Sequence, residues 1–246
     1  MHKLSWLLPL IFVAFAAAPS GAENAAPPAS DYLSSEHVDL QELLPPSPES
    51  GSAVQKSDIK AMLDIQRHRT AAQAARARED GDVSVFRFAD VLGPSFAKDK
   101  LPKLAAFFDG VRHSESGPVG TVKDYWHRPR PFEADAHIHP IPELKAGVAN
   151  KDGTYNASYP SGHSTFGATC AIILSEMVPE KRAALFARGW EFGENRVIGG
   201  VHYPTDVEAG RIDAAVLTYA MEQNPQFQKD FTDAKAELRA ALGLSP

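Results

Sequence analysis

A chain of 246 residues, 43% of them hydrophobic, suffices for one domain of generous size with a buried core. With 25 basic against 31 acidic residues the formal charge is −6, which excludes a surface built to hold nucleic acid. The lone cysteine, Cys170, cannot close an intramolecular disulfide, so the fold must be held by packing, with that thiol on an apolar helix face.

Met1-His2-Lys3, the apolar run from Leu4 to Ala18 and the small residues Ser20-Gly21-Ala22 have the three regions of a secretory signal. Residues 1–22 are read as a signal peptide cleaved near Glu23, which sends a bacterial product to the periplasm or outside the cell. No later segment is long enough to span a membrane. Residues 23–57, rich in Pro, Ser and Ala, read as an arm laid over the domain, and residues 58–246 as the domain itself.

Ser57 is the candidate cap of a helix through Ile59, Met62, Leu63 and Ile65 to about Arg78, stopped by Glu79-Asp80-Gly81-Asp82. Shorter helical pieces follow over 83–92 and 101–112, broken by Gly93-Pro94 and by a turn at Gly117-Pro118. Lys123 and Arg130 stand seven apart, and Pro129 and Pro131 hold Arg130 in extended backbone. A cation with so little freedom suits a phosphate grip, although a basic surface turn has the same sequence. His137-Ile138-His139 beside Asp135 is the candidate metal cluster, but no third His or Cys stands at ligand spacing, so neither metal nor cofactor is expected.

Pro160-Ser161-Gly162-His163 opens a helix carrying Phe166, Cys170, Ile173 and Met177 at helical spacing and ending before Pro179. The N–H groups of Ser161, Gly162 and His163 would face outward at a positive helix end, with a hydroxyl donor on Ser161 and a proton on His163. A simple helix cap accounts for the Ser and Pro but not for the adjacent Gly-His. The next helix carries Leu185 and Phe192. It leads to Arg196, then Gly199-Gly200, then His202 and Asp206, with Pro204 at the first turn of another helix. Across four residues Asp206 can fix the tautomer of His202 and leave the other ring nitrogen as nucleophile or base, though the same spacing also serves a plain capping pair. Val207, Gly210, Ala214, Leu217 and Met221 give that helix a face with small residues, and a last helix runs from about Pro225 to Leu242. The pattern is all-α: a single compact helical domain with active-site loops between helices.

Lys123-x6-Arg130-Pro131, Pro160-Ser161-Gly162-His163 and Arg196-x5-His202-x3-Asp206, in that order, resemble the three-part signature of the type 2 phosphatidic acid phosphatase superfamily. Ser158-Tyr159, Arg188-Gly189-x3-Gly193 and Asn224-Pro225-x-Phe227 narrow the resemblance to the secreted bacterial class A nonspecific acid phosphatases. Asn195 stands where the family pattern usually has Ser, and the cysteine pair expected in class A enzymes is absent.

The resemblance implies metal-independent hydrolysis of phosphate monoesters in two steps. His202 would attack phosphorus and become phosphohistidine, Asp206 would orient it, and His163 would protonate the leaving group. Lys123, Arg130, Ser161, Gly162 and Arg196 would bind the phosphate. The expected partners are small phosphomonoesters and inorganic phosphate, with homo-oligomerisation left open. Rival readings on the same architecture are a lipid phosphate phosphatase and a vanadium-dependent haloperoxidase; a non-catalytic phosphate binder would have no need of both histidines.

Overall fold

The computed structural model describes residues 30–33 and 38–245; the expected signal, residues 1–22, lies outside the described residues. In chain order the helices are α1 (Leu40–Leu43), α2 (Ala53–His68), α3 (Ala71–Glu79), α4 (Ala89–Leu92), α5 (Pro102–Trp126), α6 (Pro131–Ala134) and α7 (Pro142–Ala146). They continue with α8 (Gly162–Met177), α9 (Arg182–Ile198), α10 (Pro204–Glu222) and α11 (Pro225–Ala241). The only extended pairing among the described residues is an isolated bridge between Ala149 and Tyr155, so the fold is all-α.

Local chemistry moves two of the expected boundaries. Ser52, not Ser57, caps α2 by accepting from the Gln55 N–H. The helix expected to reach Arg78 is two helices, because Arg69 turns extended and Thr70 forms a reciprocal capping box with Gln73 at the start of α3. The expected break at Gly117-Pro118 is absent, and α5 runs through Pro118 to Trp126. An interior proline costs a helix about 3 kcal/mol. Here Val111, Glu115, Val119 and Val122 continue one buried face across it, and that burial keeps the helix intact.

The molecule is assembled around α8, most of whose side chains are buried, including Cys170. Helices α9 and α10 lie directly against it, and the approach depends on missing side chains. A Cβ on Gly189 of α9 would stand 2.6 Å from the Ala171 Cβ, and one on Gly210 of α10 would stand 2.6 Å from the Ser161 carbonyl. On the other side α5 and α11 enclose Phe107, Phe227, Leu217 and Ile173 in the main core. The N-terminal segment packs on this body through Tyr32, Leu40 and Leu44, and the Tyr159 hydroxyl donates to the Pro45 carbonyl at 2.5 Å. The close crossing of α8, α9 and α10 sets the start of α8 beside the end of α9 and the start of α10.

Candidate active site

Pro204 occupies the first turn of α10, and Asp206 at its third position turns back to accept from the Tyr203 N–H at 2.9 Å. The same oxygen, Oδ2, accepts from the Ser158 hydroxyl at 2.5 Å and lies 3.1 Å from His202 Nδ1. A carboxylate accepts only, so Nδ1 carries the proton and Nε2 the lone pair. Arg130 Nη1 donates to that Nε2 at 2.8 Å.

Three cations converge on this imidazole. Arg130 is in extended backbone between its prolines and is anchored by the Asn156 carbonyl at 2.8 Å and the Val201 carbonyl at 2.7 Å. Lys123, on the last turns of α5, donates to the Ala157 carbonyl at 2.6 Å. Arg196, near the end of α9, is 1% exposed, and neither its Nε nor its Nη1 has a hydrogen-bond partner among the described residues. Burial pushes all three cations below their ordinary values, Lys123 to about 7, and Arg130 presses further on both Lys123 and Arg196. Burial, and then Arg130, Lys123 and Arg196, hold His202 well below the usual imidazole range. The result is a neutral ring nitrogen with its lone pair available in a pocket with surplus positive charge, an arrangement that suits an anion.

His163, at the mouth of α8, faces the same cations, and burial followed by Arg196 holds it neutral too. Its Nε2 is 3.1 Å from the Gly81 carbonyl, so that nitrogen bears the hydrogen and Nδ1 remains for chemistry. Ser161 caps α8 by accepting from the Ser164 N–H. Its own N–H donates to the Asp206 carbonyl at 3.0 Å, which corrects the expectation that this group faces outward. The N–H groups of Gly162 and His163 at the helix end have no protein acceptor among the described residues.

Each of the eight residues picked from sequence thus falls at or beside one center built from α5, the 128–130 segment, α8, α9 and α10. Asn195, where the pattern usually has Ser, donates to Asp80 Oδ2 at 2.7 Å. The metal candidate is not assembled. His137 is exposed and paired with Asp135 at 2.8 Å, and no group of three or more His, Cys, Asp or Glu among the described residues could hold an ion.

Sequence reasoning passed over several supports. Asp80, read as a helix stop, is fully buried and receives both arms of the Arg188 guanidinium, at 2.9 and 2.5 Å. Arg128, two residues before Arg130, donates to Asp206 Oδ1 at 2.6 Å. Its place between Lys123 and Arg130 was the available signal. Asp80 and the α2 residues that meet Arg128 have no local signal at all. A cleft of about 750 Å³ between Pro46, Trp126, Tyr159 and Ile212 contains none of the three cations or two histidines.

Residues 110–229 match the family model described as the PAP2 superfamily. The chain is 32% identical to a non-specific acid phosphatase of Salmonella typhimurium over 96% of this chain and 91% of that one. This places it. The chain belongs to the PAP2 superfamily. A non-specific acid phosphatase of Providencia stuartii is also 32% identical, over 91% of this chain and 90% of its own length. An acid phosphatase of Zymomonas mobilis is 33% identical, over 83% and 77%. In this PAP2-superfamily member the three cations and the two histidines lie within the matched span, whereas α2, Asp80 and Gly81 lie before it.

Proposed function

We propose that this protein is an exported acid phosphatase that hydrolyses small phosphate monoesters through a phosphohistidine on His202, without a metal. The observation that carries the reading is His202 itself: Nδ1 tied to Asp206 at 3.1 Å, Nε2 unprotonated, and Arg130 at 2.8 Å on the side a phosphate would enter. Arg196, whose Nε and Nη1 have no partner among the described residues, acts electrostatically on the same imidazole. Lys123, Arg130 and Arg196 would hold the nonbridging oxygens, and the charge that develops in the transition state is theirs to neutralise.

In the first step Nε2 forms a bond to phosphorus, the ester P–O bond breaks, and the departing oxygen takes a proton from Nδ1 of His163. In the second, His163 removes a proton from water, the water oxygen bonds to phosphorus, and the P–N bond breaks to release phosphate and neutral His202. Burial, and after it Arg196, Arg130 and Lys123, keep His163 neutral in the free protein; a phosphate dianion offsets the part due to the cations, so substrate binding raises the affinity of His163 for the proton it must donate. Similarity to non-specific acid phosphatases supports the substrate class, and the charged, apolar and small-residue stretches of residues 1–22 support export.

Acid-labile label trapped on His202 during turnover of a labelled monoester is the test. His202→Ala should trap none and keep less than about a hundredth of the wild-type rate, since acid–base help alone is worth roughly 10²-fold or more. A variant that turns over faster than that overturns the assignment.

A further inference from the structure

Arg128 is 3% exposed and is the junction between the catalytic end of α10 and helix α2, which lies outside the matched family span. Its Nη1 donates to Asp206 Oδ1 at 2.6 Å and to the Thr205 hydroxyl at 2.7 Å. Its Nη2 donates to Asp58 Oδ2 at 2.9 Å and to Gln55 Oε1 at 3.0 Å, both on α2. Thr205 closes the ring by donating to Asp58 Oδ2 at 2.5 Å, and the guanidinium lies 3.8 Å over the Tyr203 ring. All of this surrounds the one carboxylate that touches His202.

The division of labour between the two Asp206 oxygens is the informative detail. Oδ2 takes the donors from Ser158, Tyr203 and His202, while Oδ1 takes Arg128. Without Arg128 the carboxylate could rotate and meet Ser158 and Tyr203 with either oxygen, leaving the His202 tautomer unfixed. Arg128 alone, however, would neutralise Asp206 and weaken it as an acceptor. Asp58 supplies the second negative charge that lets one guanidinium serve two carboxylates.

We propose that Arg128 and Asp58 are positioning residues of the reaction: Arg128 fixes the Asp206 carboxylate against His202 Nδ1, and Asp58 offsets the charge of Arg128 so that Asp206 stays a strong acceptor. The inference rests on His202 being the nucleophile. Around that imidazole stand Lys123 from α5, Arg130, His163 from α8, Arg196 from α9 and Asp206 from α10. Arg128 and Asp58 touch neither His202 nor the phosphate cations, so their loss should act on kcat more than on KM.

The test is the pair Asp58→Asn and Arg128→Gln with the double variant, assayed across pH. Each single change should lower kcat by about tenfold to a hundredfold and alter KM by less than about threefold, as expected for a misaligned nucleophile with intact phosphate binding. The acid limbs of kcat/KM should move in opposite directions. Loss of the Arg128 charge lets Asp206 hold a proton on His202 up to higher pH, and loss of the Asp58 charge moves the limb lower. The double variant should be no slower than Arg128→Gln, because the two residues act as one unit. If Arg128→Gln does not fold, Arg128→Lys keeps the charge without the fork and should lose kcat with its acid limb in place. Label trapped on His202 of wild type, with variants that keep wild-type kcat or shift both limbs alike, would overturn the relay and leave the nucleophile standing. Absence of label from wild-type His202 would instead overturn the nucleophile and the relay with it.

Discussion

Replacing Arg196 by methionine should make the free protein more stable and the enzyme nearly inactive. Arg196 is buried, its Nε and Nη1 have no partner among the described residues, and its charge is opposed by burial and by Arg130 and favoured by Asp80. A buried donor left unpaired costs about 1–3 kcal/mol, and exchanging buried charge for an apolar side chain of similar volume is neutral to stabilising by about 1–4 kcal/mol. With Asp80 offsetting part of the strain, the expected gain for Arg196→Met is about 1–3 kcal/mol. Phosphate acts in the opposite direction and narrows that advantage. At a hundred times its Kd it should stabilise wild type by about 2.7 kcal/mol and the variant by well under half of that. Urea unfolding at one pH, with and without inorganic phosphate, reads both numbers. A free variant less stable than wild type by more than about 1 kcal/mol, or one that phosphate stabilises undiminished, would refute the idea that this guanidinium is held ready for an anion.

Two further outcomes follow from the same geometry. His163→Ala should slow hydrolysis of an alkyl phosphate far more than that of an ester of a very acidic phenol, which departs without a proton; equal losses in a folded variant would leave His163 as a phosphate contact only. Asp80→Ala strands the buried Arg188 and removes the acceptor of Asn195, so it should destabilise the fold by about 3 kcal/mol in urea, the low end for a broken buried pair because Asp90 and Glu191 also lie 3.3 Å from Arg188. A loss under about 1 kcal/mol would mean that Arg188 re-pairs with those two acids.

The parts of the fold and site that were legible in sequence are those whose determinants are local. Pro204 at a first turn, Asp206 four residues after His202, and Arg130 between two prolines each constrain their own neighbourhood, and the structure places them so. The misread boundaries arise where tertiary packing outweighs a local signal, as at Pro118, or where two valid signals compete, as Ser52 and Ser57 do. The supports were illegible for a different reason. Asp58 meets Arg128, and Asp80 meets Arg188, across long stretches of chain, and each acid sits in a segment whose composition reads as solvated surface. A charge run is ordinarily solvated, and nothing in Glu79-Asp80-Gly81-Asp82 distinguishes the one carboxylate that is buried.

A second pair of acids lies deeper in the same helices and ties the stability of the fold to acidic pH. Glu115 stands about two turns before Lys123 on α5, and Asp213 about two turns after Asp206 on α10. Glu115 Oε1, Asp213 Oδ1 and the Thr169 hydroxyl have no partner among the described residues. Burial pushes Glu115 up to about 8 and Asp213 to about 7, so both are neutral at mildly acidic pH. A carboxyl raised on folding contributes stability that is full below its unfolded value and lost as pH rises through its folded one. For Glu115 that window runs from about 4.5 to about 8. Lys123, pushed down to about 7, works in the opposite sense above neutrality, and the two neutral histidines destabilise the fold as pH falls below their ordinary range. The wild-type curve alone therefore mixes the effects, and Glu115→Gln separates one of them. Relative to wild type the variant should gain up to about 1.4 kcal/mol per pH unit between about pH 5 and about pH 8 in urea unfolding. Parallel curves would mean that Glu115 is ionised in the fold. If it is neutral, raising the pH places new negative charge behind Lys123, which already feels Asp213, and weakens the positive pocket from within. Phosphate affinity should then fall with rising pH in wild type and less steeply in Glu115→Gln, as a consequence of where the helices carry their buried acids.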